Sequence, residues 1–254
     1  AAGAGSRTAM KRPFVFFDLD GTLYDFPGCA AVALKATLAR AQEELGCPDE
    51  YLPALQAAFW QAYFHYLKRE SSLGDPRAAL EQVLTRTFAA CRAGQARLSP
   101  HFGHELSGTW LRAFFAALAP FPGVRPLLEE LQAAGVILGV VSNGTRPFQV
   151  AKLRRLGLKV YFPGRNLFFS GDGGGAKPDP AIFHRALSAL HLAPAAGVFV
   201  GDSPRTDLAG GLQAGLRVVW LNRYGLPAPE EVIGKIHVVT SFPAAARAVW
   251  ALLH

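Results

Sequence analysis

Two kinds of hydrophobic pattern alternate along the chain. Short unbroken apolar runs stop abruptly at small or acidic residues. Pro13-Phe14-Val15-Phe16-Phe17 stops at Asp18, Val136–Val141 at Ser142-Asn143-Gly144, Leu167-Phe168-Phe169 at a Gly-rich loop, and Gly197–Val200 at Gly201-Asp202. Arg217–Leu221 is a further run, and His237–Thr240 reads as a last short strand. Continuous apolar runs of roughly four to eight residues are what a parallel strand buried on both faces requires. Between them lie stretches whose apolar positions follow helical spacing. Val124–Ala134 stops at Gly135, Arg146–Leu156 at Gly157 and Thr206–Ala214 at Gly215, with Pro180–Leu190 a fourth. Glycine directly after such a stretch supplies the left-handed residue that ends a helix. Strands and helices in this alternation predict βαβ units and a doubly wound parallel sheet. In such sheets ligands bind beyond the carboxyl ends of the strands, where the polar residues above fall.

Residues 26–118 follow a different rule. Ala30–Leu45, Leu52–Lys68, Pro76–Ala90 and His104–Leu118 read as Ala-rich helices, broken at Gly46-Cys47-Pro48, Gly74-Asp75-Pro76 and Ser99-Pro100, with no strand-like run among them. The expectation is an α/β chain with a tail over residues 1–10, a sheet domain over 11–25 and 119–254, and a helical domain inserted at 26–118.

Composition narrows the classes. The chain has 254 residues and is 50% hydrophobic, which excludes wholesale disorder. Its net charge is +7 and its pI about 9.6, which raises nucleic acid, a membrane surface or a small anion as partner. The excess is regional: residues 121–254 hold fourteen bases and eight acids, while residues 25–120 hold nine of each. Three cysteines, Cys29, Cys47 and Cys91, without C-x-x-C spacing fit buried thiols rather than a disulfide scaffold. No apolar run approaches the ~18 residues of a membrane span. The opening AAGAGSRTAM lacks the charged and apolar regions of a secretory signal. The expected setting is cytoplasmic.

The strongest chemical signal is Phe16-Phe17-Asp18-Leu19-Asp20-Gly21-Thr22-Leu23. Two carboxylates at the mouth of a buried strand are expensive unless a cation or a reaction uses them. Gly201-Asp202-Ser203-Pro204-Arg205-Thr206-Asp207 repeats the theme at another strand end. Four carboxylates in one crevice, Asp18, Asp20, Asp202 and Asp207, cannot all stay ionised without a cation, and all-oxygen ligation suits Mg²⁺. Lys177, in Ala176-Lys177-Pro178, and Ser142-Asn143-Gly144-Thr145 add a cation and a helix start able to hold a phosphate.

Taken in order, these motifs resemble those of the haloacid dehalogenase-like superfamily, whose phosphohydrolases carry D-x-D-G-[TV], then Ser or Thr, then Lys, then G-D-x-x-x-D or G-D-x-x-x-x-D. The resemblance implies a Rossmann-like sheet of strand order 5-4-1-2-3. Ser142 and Lys177 are only 35 positions apart, too few for a second inserted domain, so the helical insertion matches a C1-type cap. It also implies that Asp18 is the nucleophile and Asp20 the general acid and base. Mg²⁺ would be held by Asp18, the backbone carbonyl of Asp20 and Asp202, with Asp207 behind them. Lys177, Ser142, Asn143 and Thr22 form the expected phosphate-binding set, Thr22 also bracing Asp20. Dehalogenases of the superfamily lack a carboxylate at the position of Asp20, which favours phosphate esters here.

Other motifs fail. Gly171–Lys177 is no Walker A loop, since Ala176 precedes the lysine and Pro178 follows it. Ser142 has Val140 where a G-x-S-x-G elbow needs glycine. His101 and His104 lack zinc-protease spacing. The stretches Leu138–Thr145, Ala176–Phe183 and Val198–Asn222 look most like the branch of pyrimidine 5′-nucleotidases and N-acylneuraminate-9-phosphatases, with sugar phosphates and phosphoglycolate open. His65, Lys68, Arg69, Arg77 and His101 are the helical-domain residues able to reach a substrate. The expected partner is a small phosphorylated metabolite, with no membrane and a monomeric or homodimeric chain. Two alternatives stay open: a phosphomutase on the same core, and a nucleic-acid binder using Arg146, Lys152, Arg154, Arg155 and Lys159. That stretch offers only Phe148 for base stacking, so nucleic acid is disfavoured.

Overall fold

The computed structural model describes residues 12–46, 50, 52–69, 76–90 and 99–254. The chain divides into two compact units, one formed by the residues up to Asp25 with Pro120–His254, the other by Phe26–Ala119. The tail at residues 1–10 lies outside the described residues.

The first unit is built on six parallel strands: β1 (Phe14–Phe17), β2 (Ile137–Ser142), β3 (Leu167–Phe169), β4 (Gly197–Gly201), β5 (Arg217–Leu221) and β6 (Ile236–Val239). Their order is β3-β2-β1-β4-β5-β6. Read from the other edge, this is the expected five-strand order with β6 added outside β5. β1 lies at the centre with all four residues fully buried, as its unbroken apolar run requires. Its neighbours make room for its rings: Phe16 pairs with Gly139 of β2, and Phe14 with Gly197 of β4. A side-chain carbon on Gly139 would sit 2.8 Å from the Phe16 ring.

The second unit holds four helices: α1 (Phe26–Leu45), α2 (Leu52–Arg69), α3 (Pro76–Ala90) and α4 (Pro100–Ala117). α4 packs on both α1 and α3, and α2 packs on α3. Trp110 stacks on Phe114 at 4.7 Å, and Phe26 meets Phe114 edge-on at 5.8 Å. Arg40 of α1 donates to Glu105 of α4 at 2.8 Å. Cys29 is buried, while Cys47 and Cys91 lie outside the described residues.

The remaining helices flank the sheet: α5 (Val124–Ala133), α6 (Arg146–Arg155), α7 (Ala181–Leu190), α8 (Ala209–Gln213) and α9 (Phe242–Leu253). The predicted stops Gly135, Gly157 and Gly215 all have positive φ. The helix expected over Thr206–Ala214 is instead a wider π-type turn, Pro204–Leu208, running into α8. α9 was not among the expected elements. Ser241 caps its first turn, and Phe242, Ala245 and Val249 are buried as it packs on β4 to β6. Among the described residues, no helix is long and apolar enough to cross a membrane.

Candidate active site

β1 delivers Asp18 to the centre of the sheet's carboxyl edge, where its N–H donates to Val200 of β4 at 2.9 Å. Gly21 then turns the chain with φ +89°. Asp202 directly follows β4, and the turn after it carries Asp207, which is almost fully buried. One Asp207 oxygen accepts the N–H groups of Asp202 and Ser203, each at 3.0 Å. Its other oxygen accepts the Lys177 ammonium at 2.7 Å. The same ammonium reaches Asp18 Oδ1 at 2.5 Å, so Lys177 bridges the ends of β1 and β4. The Thr22 hydroxyl lies 3.1 Å from Asp202 Oδ1 and 3.4 Å from Asp18 Oδ2. One carboxylate oxygen from each of Asp18, Asp202 and Asp207 falls within 4.8 Å of the other two.

Three carboxylates here face one ammonium. Burial, reinforced by Asp207 and Asp20, raises the Asp18 carboxyl to about 6 against the pull of Lys177. Burial and the charges of Asp207 and Asp18 hold Asp202 well above the usual carboxylate range. Burial alone would lower Lys177, but Asp18 and Asp207 together raise it above an ordinary lysine. A cluster of hard oxygen donors with excess negative charge fits a divalent cation.

Asp20 is held separately. Lys152 of α6 donates to both its oxygens at 2.8 Å, and Tyr24 donates to Oδ1. Gln149, also on α6, donates from Nε2 to Asp20 Oδ2 at 3.2 Å, to Ser142 Oγ at 3.0 Å and to the Asn143 carbonyl at 2.7 Å. Ser142 is buried at the end of β2.

The structure thus brings together Asp18, Thr22, Lys177, Asp202 and Asp207, and sets Asp20 beside Ser142. It also corrects several expectations. Thr22 bonds Asp18 and Asp202 rather than bracing Asp20, because its hydroxyl faces the gap between the β1 and β4 ends. The Asn143 side chain is occupied: Nδ2 donates to the Lys177 carbonyl at 3.0 Å, and Oδ1 accepts the Lys177 N–H at 2.9 Å. The side chain fixes the lysine's backbone, while the phosphate role expected of Asn143 is one for its backbone N–H. The Gly144 N–H is likewise taken by Ser170 Oγ at 2.9 Å. The Asp20 carboxylate stands outside the three-carboxylate cluster, leaving only its backbone carbonyl for the metal role expected of it. Lys152, counted among the bases of the candidate nucleic-acid stretch, is only 3% exposed. His101 is exposed on α4, while the side chains of His65, Lys68, Arg69 and Arg77 lie outside the described ones. Gln149, Lys152 and Tyr24 had no motif to announce them; a helical i, i+3 pair four residues past Thr145 was the only signal.

Comparison with known proteins agrees with this geometry. Residues 14–215 match the model of the haloacid dehalogenase-like hydrolases. A ribulose-1,5-bisphosphate 5-phosphatase of Halopiger xanaduensis is 34% identical over 81% of this chain and 82% of its own. The pyrimidine 5′-nucleotidase YjjG of Escherichia coli, from the branch expected on the core motifs, is 28% identical over 88% of this chain and 92% of its own. Among solved structures, a 2-haloacid dehalogenase of Pseudomonas syringae superposes with a TM-score of 0.63 at 30% identity, covering 94% of this chain and 99% of the other. The chain belongs to the haloacid dehalogenase-like hydrolase family.

Proposed function

We propose that the chain is a Mg²⁺-dependent phosphatase that hydrolyses small phosphomonoesters through an aspartyl-phosphate on Asp18. In this reading the sheet unit is the catalytic core and the four-helix unit a C1-type cap. The observation that carries it is the pairing at one sheet edge of a buried Lys177–Asp18–Asp202–Asp207 cluster with a second, independently held carboxylate, Asp20. Asp18, Asp202 and Asp207, with the carbonyl of Asp20, are the residues to hold Mg²⁺. When bound, the ion offsets the repulsion between a carboxylate and a phosphate dianion.

The residues divide the reaction into two halves. An Asp18 oxygen attacks phosphorus, the P–O bond to the alcohol breaks, and protonated Asp20 gives its proton to the departing oxygen. Water then attacks phosphorus, the bond to Asp18 breaks, and Asp20 takes the water's proton, restoring both carboxyl groups. Lys177 neutralises a phosphoryl oxygen throughout. Ser142 accepts from Gln149, which leaves its own hydrogen free for another phosphoryl oxygen.

The dehalogenase likeness raises halide displacement, but a halide leaves without a proton and has no use for Asp20. A phosphomutase would share Asp18 and Asp20 and return the phosphoryl group to its substrate. The nucleic-acid reading loses Lys152, whose charge faces Asp20.

Phosphate release from p-nitrophenyl phosphate, then from nucleoside monophosphates and sugar phosphates, tests the proposal. Release is expected to require Mg²⁺, and Asp18→Asn to abolish it. A folded protein inactive on the whole panel overturns the enzyme reading. Wild-type turnover by Asp18→Asn overturns the nucleophile, and isomerised ester without free phosphate favours the mutase. A steeply salt-dependent affinity for DNA or RNA would instead revive the polyanion reading.

A further inference from the structure

Lys152 and Gln149 have no direct part in those steps, yet both are buried, at 3% and 1% exposure. An ammonium and an amide N–H are costly to bury unless matched, and both are matched here, although Gln149 Oε1 has no hydrogen-bond partner among the described residues. Three residues apart on α6, they present to one side of the helix. Lys152 grips Asp20 through both oxygens at 2.8 Å and lies 4.6 Å from the centre of the Phe148 ring. That shared contact holds the carboxylate in place, with Tyr24 on Oδ1 and Gln149 on Oδ2 restricting its rotation. Gln149 reaches Asp20, Ser142 and the Asn143 carbonyl from a single nitrogen, tying the end of β1 to the end of β2.

We propose that Lys152 and Gln149 are positioning residues: Lys152 fixes where Asp20 delivers and collects its proton, and Gln149 couples that carboxylate to the Ser142 hydroxyl. The inference rests on the phosphatase reading, and its test separates the two. The probes are p-nitrophenyl phosphate, whose acidic phenol leaves with little help, and phenyl phosphate, whose phenol needs a proton. In Lys152→Met, kcat/KM for phenyl phosphate falls about 100-fold, the scale of a well-placed general acid, and for p-nitrophenyl phosphate by less than about tenfold. Lys152→Arg, which keeps a two-point cation, recovers the wild-type ratio between the probes to within about threefold. Gln149→Leu raises the same ratio while leaving KM within about threefold.

An equal loss on both probes, or no loss, overturns the proposal. Should Lys152→Met fail to fold, the Arg and Leu variants carry the same comparison. A wild-type chain silent on both probes refutes the phosphatase reading instead. The tie is then read from thermal unfolding of Asp20→Asn, Lys152→Met and their double variant: non-additive shifts support it and additive shifts overturn it.

Discussion

Gly21 is where two demands meet on a single residue. Its φ of +89° lies in the region that favours glycine. A side-chain carbon there would fall on the Asp202 carboxylate, only 2.7 Å from its Cγ. The glycine of the D-x-D-G motif therefore lets β1 turn and also lets Asp202 close on Asp18. Gly21→Ala is expected to cost about 1–2 kcal/mol from the backbone alone and to push Asp202 outward. Melting curves with and without Mg²⁺ check both parts: a lower Tm, and a smaller rise on adding the ion. A variant that melts like wild type and gains the same Mg²⁺ stabilisation would refute this account. Residues like Asp18 and Asp202 were legible in the sequence because they interrupt apolar runs. Thr22 and Asn143 were legible as polar residues near the site but not by partner, since hydroxyls and amides choose among acceptors that only folding brings near. Lys152 was grouped with the basic residues around it for the same reason: Arg154 and Arg155 are exposed, while the partner of Lys152 is 132 positions away.

At the scale of elements, periodicity located the strands and most helices to within a residue or two, because each buried run has one way to satisfy its backbone. It could not foresee the packing between strands. Glycine weakens a strand, yet Gly197 opens β4, pairs with Phe14, and leaves the space that the Phe14 ring fills. A side-chain carbon at Gly197 would lie inside that ring. Gly197→Ala should therefore destabilise by about 1–3 kcal/mol through overpacking. Phe14→Leu is destabilising by itself but should be milder in the Gly197→Ala background, because the smaller side chain vacates the contested space. Urea unfolding of the two single variants and the double variant measures the coupling, and an additive result would show that ring and glycine are independent. α9 escaped the periodicity reading although Ser241 followed by Phe242-Pro243 is a regular helix start.

Across the whole molecule, the site is expected to couple stability to pH and, on the proposed reading, to metal. Asp18, raised by burial to about 6, and Asp202, raised well above its ordinary value, bind protons in the folded chain at pH values where the unfolded chain has released them. With more protons on the native state, the Asp18 contribution to the stability of the metal-free protein falls as pH climbs from about 4 through about 6 and then levels off, and Asp202 acts in the same direction. On the proposed reading, Mg²⁺ favours the ionised carboxylates and competes with those protons, so its stabilisation is expected to grow as they ionise. At a metal concentration about a hundredfold above Kd, the gain at neutral pH is on the order of 2–3 kcal/mol, and near pH 5 it is much smaller. Thermal melts at a series of pH values, with MgCl₂ or with EDTA, give the difference directly. A Mg²⁺ gain that is the same at pH 5 and pH 7.5 would mean that the ion does not compete with protons on Asp18 and Asp202. The cluster would then be an internal brace centred on Lys177 rather than a metal site. In Asp202→Asn the Mg²⁺ gain should shrink at every pH, because that substitution removes a carboxylate from the cluster and leaves the bridge from Lys177 to Asp18 and Asp207 in place.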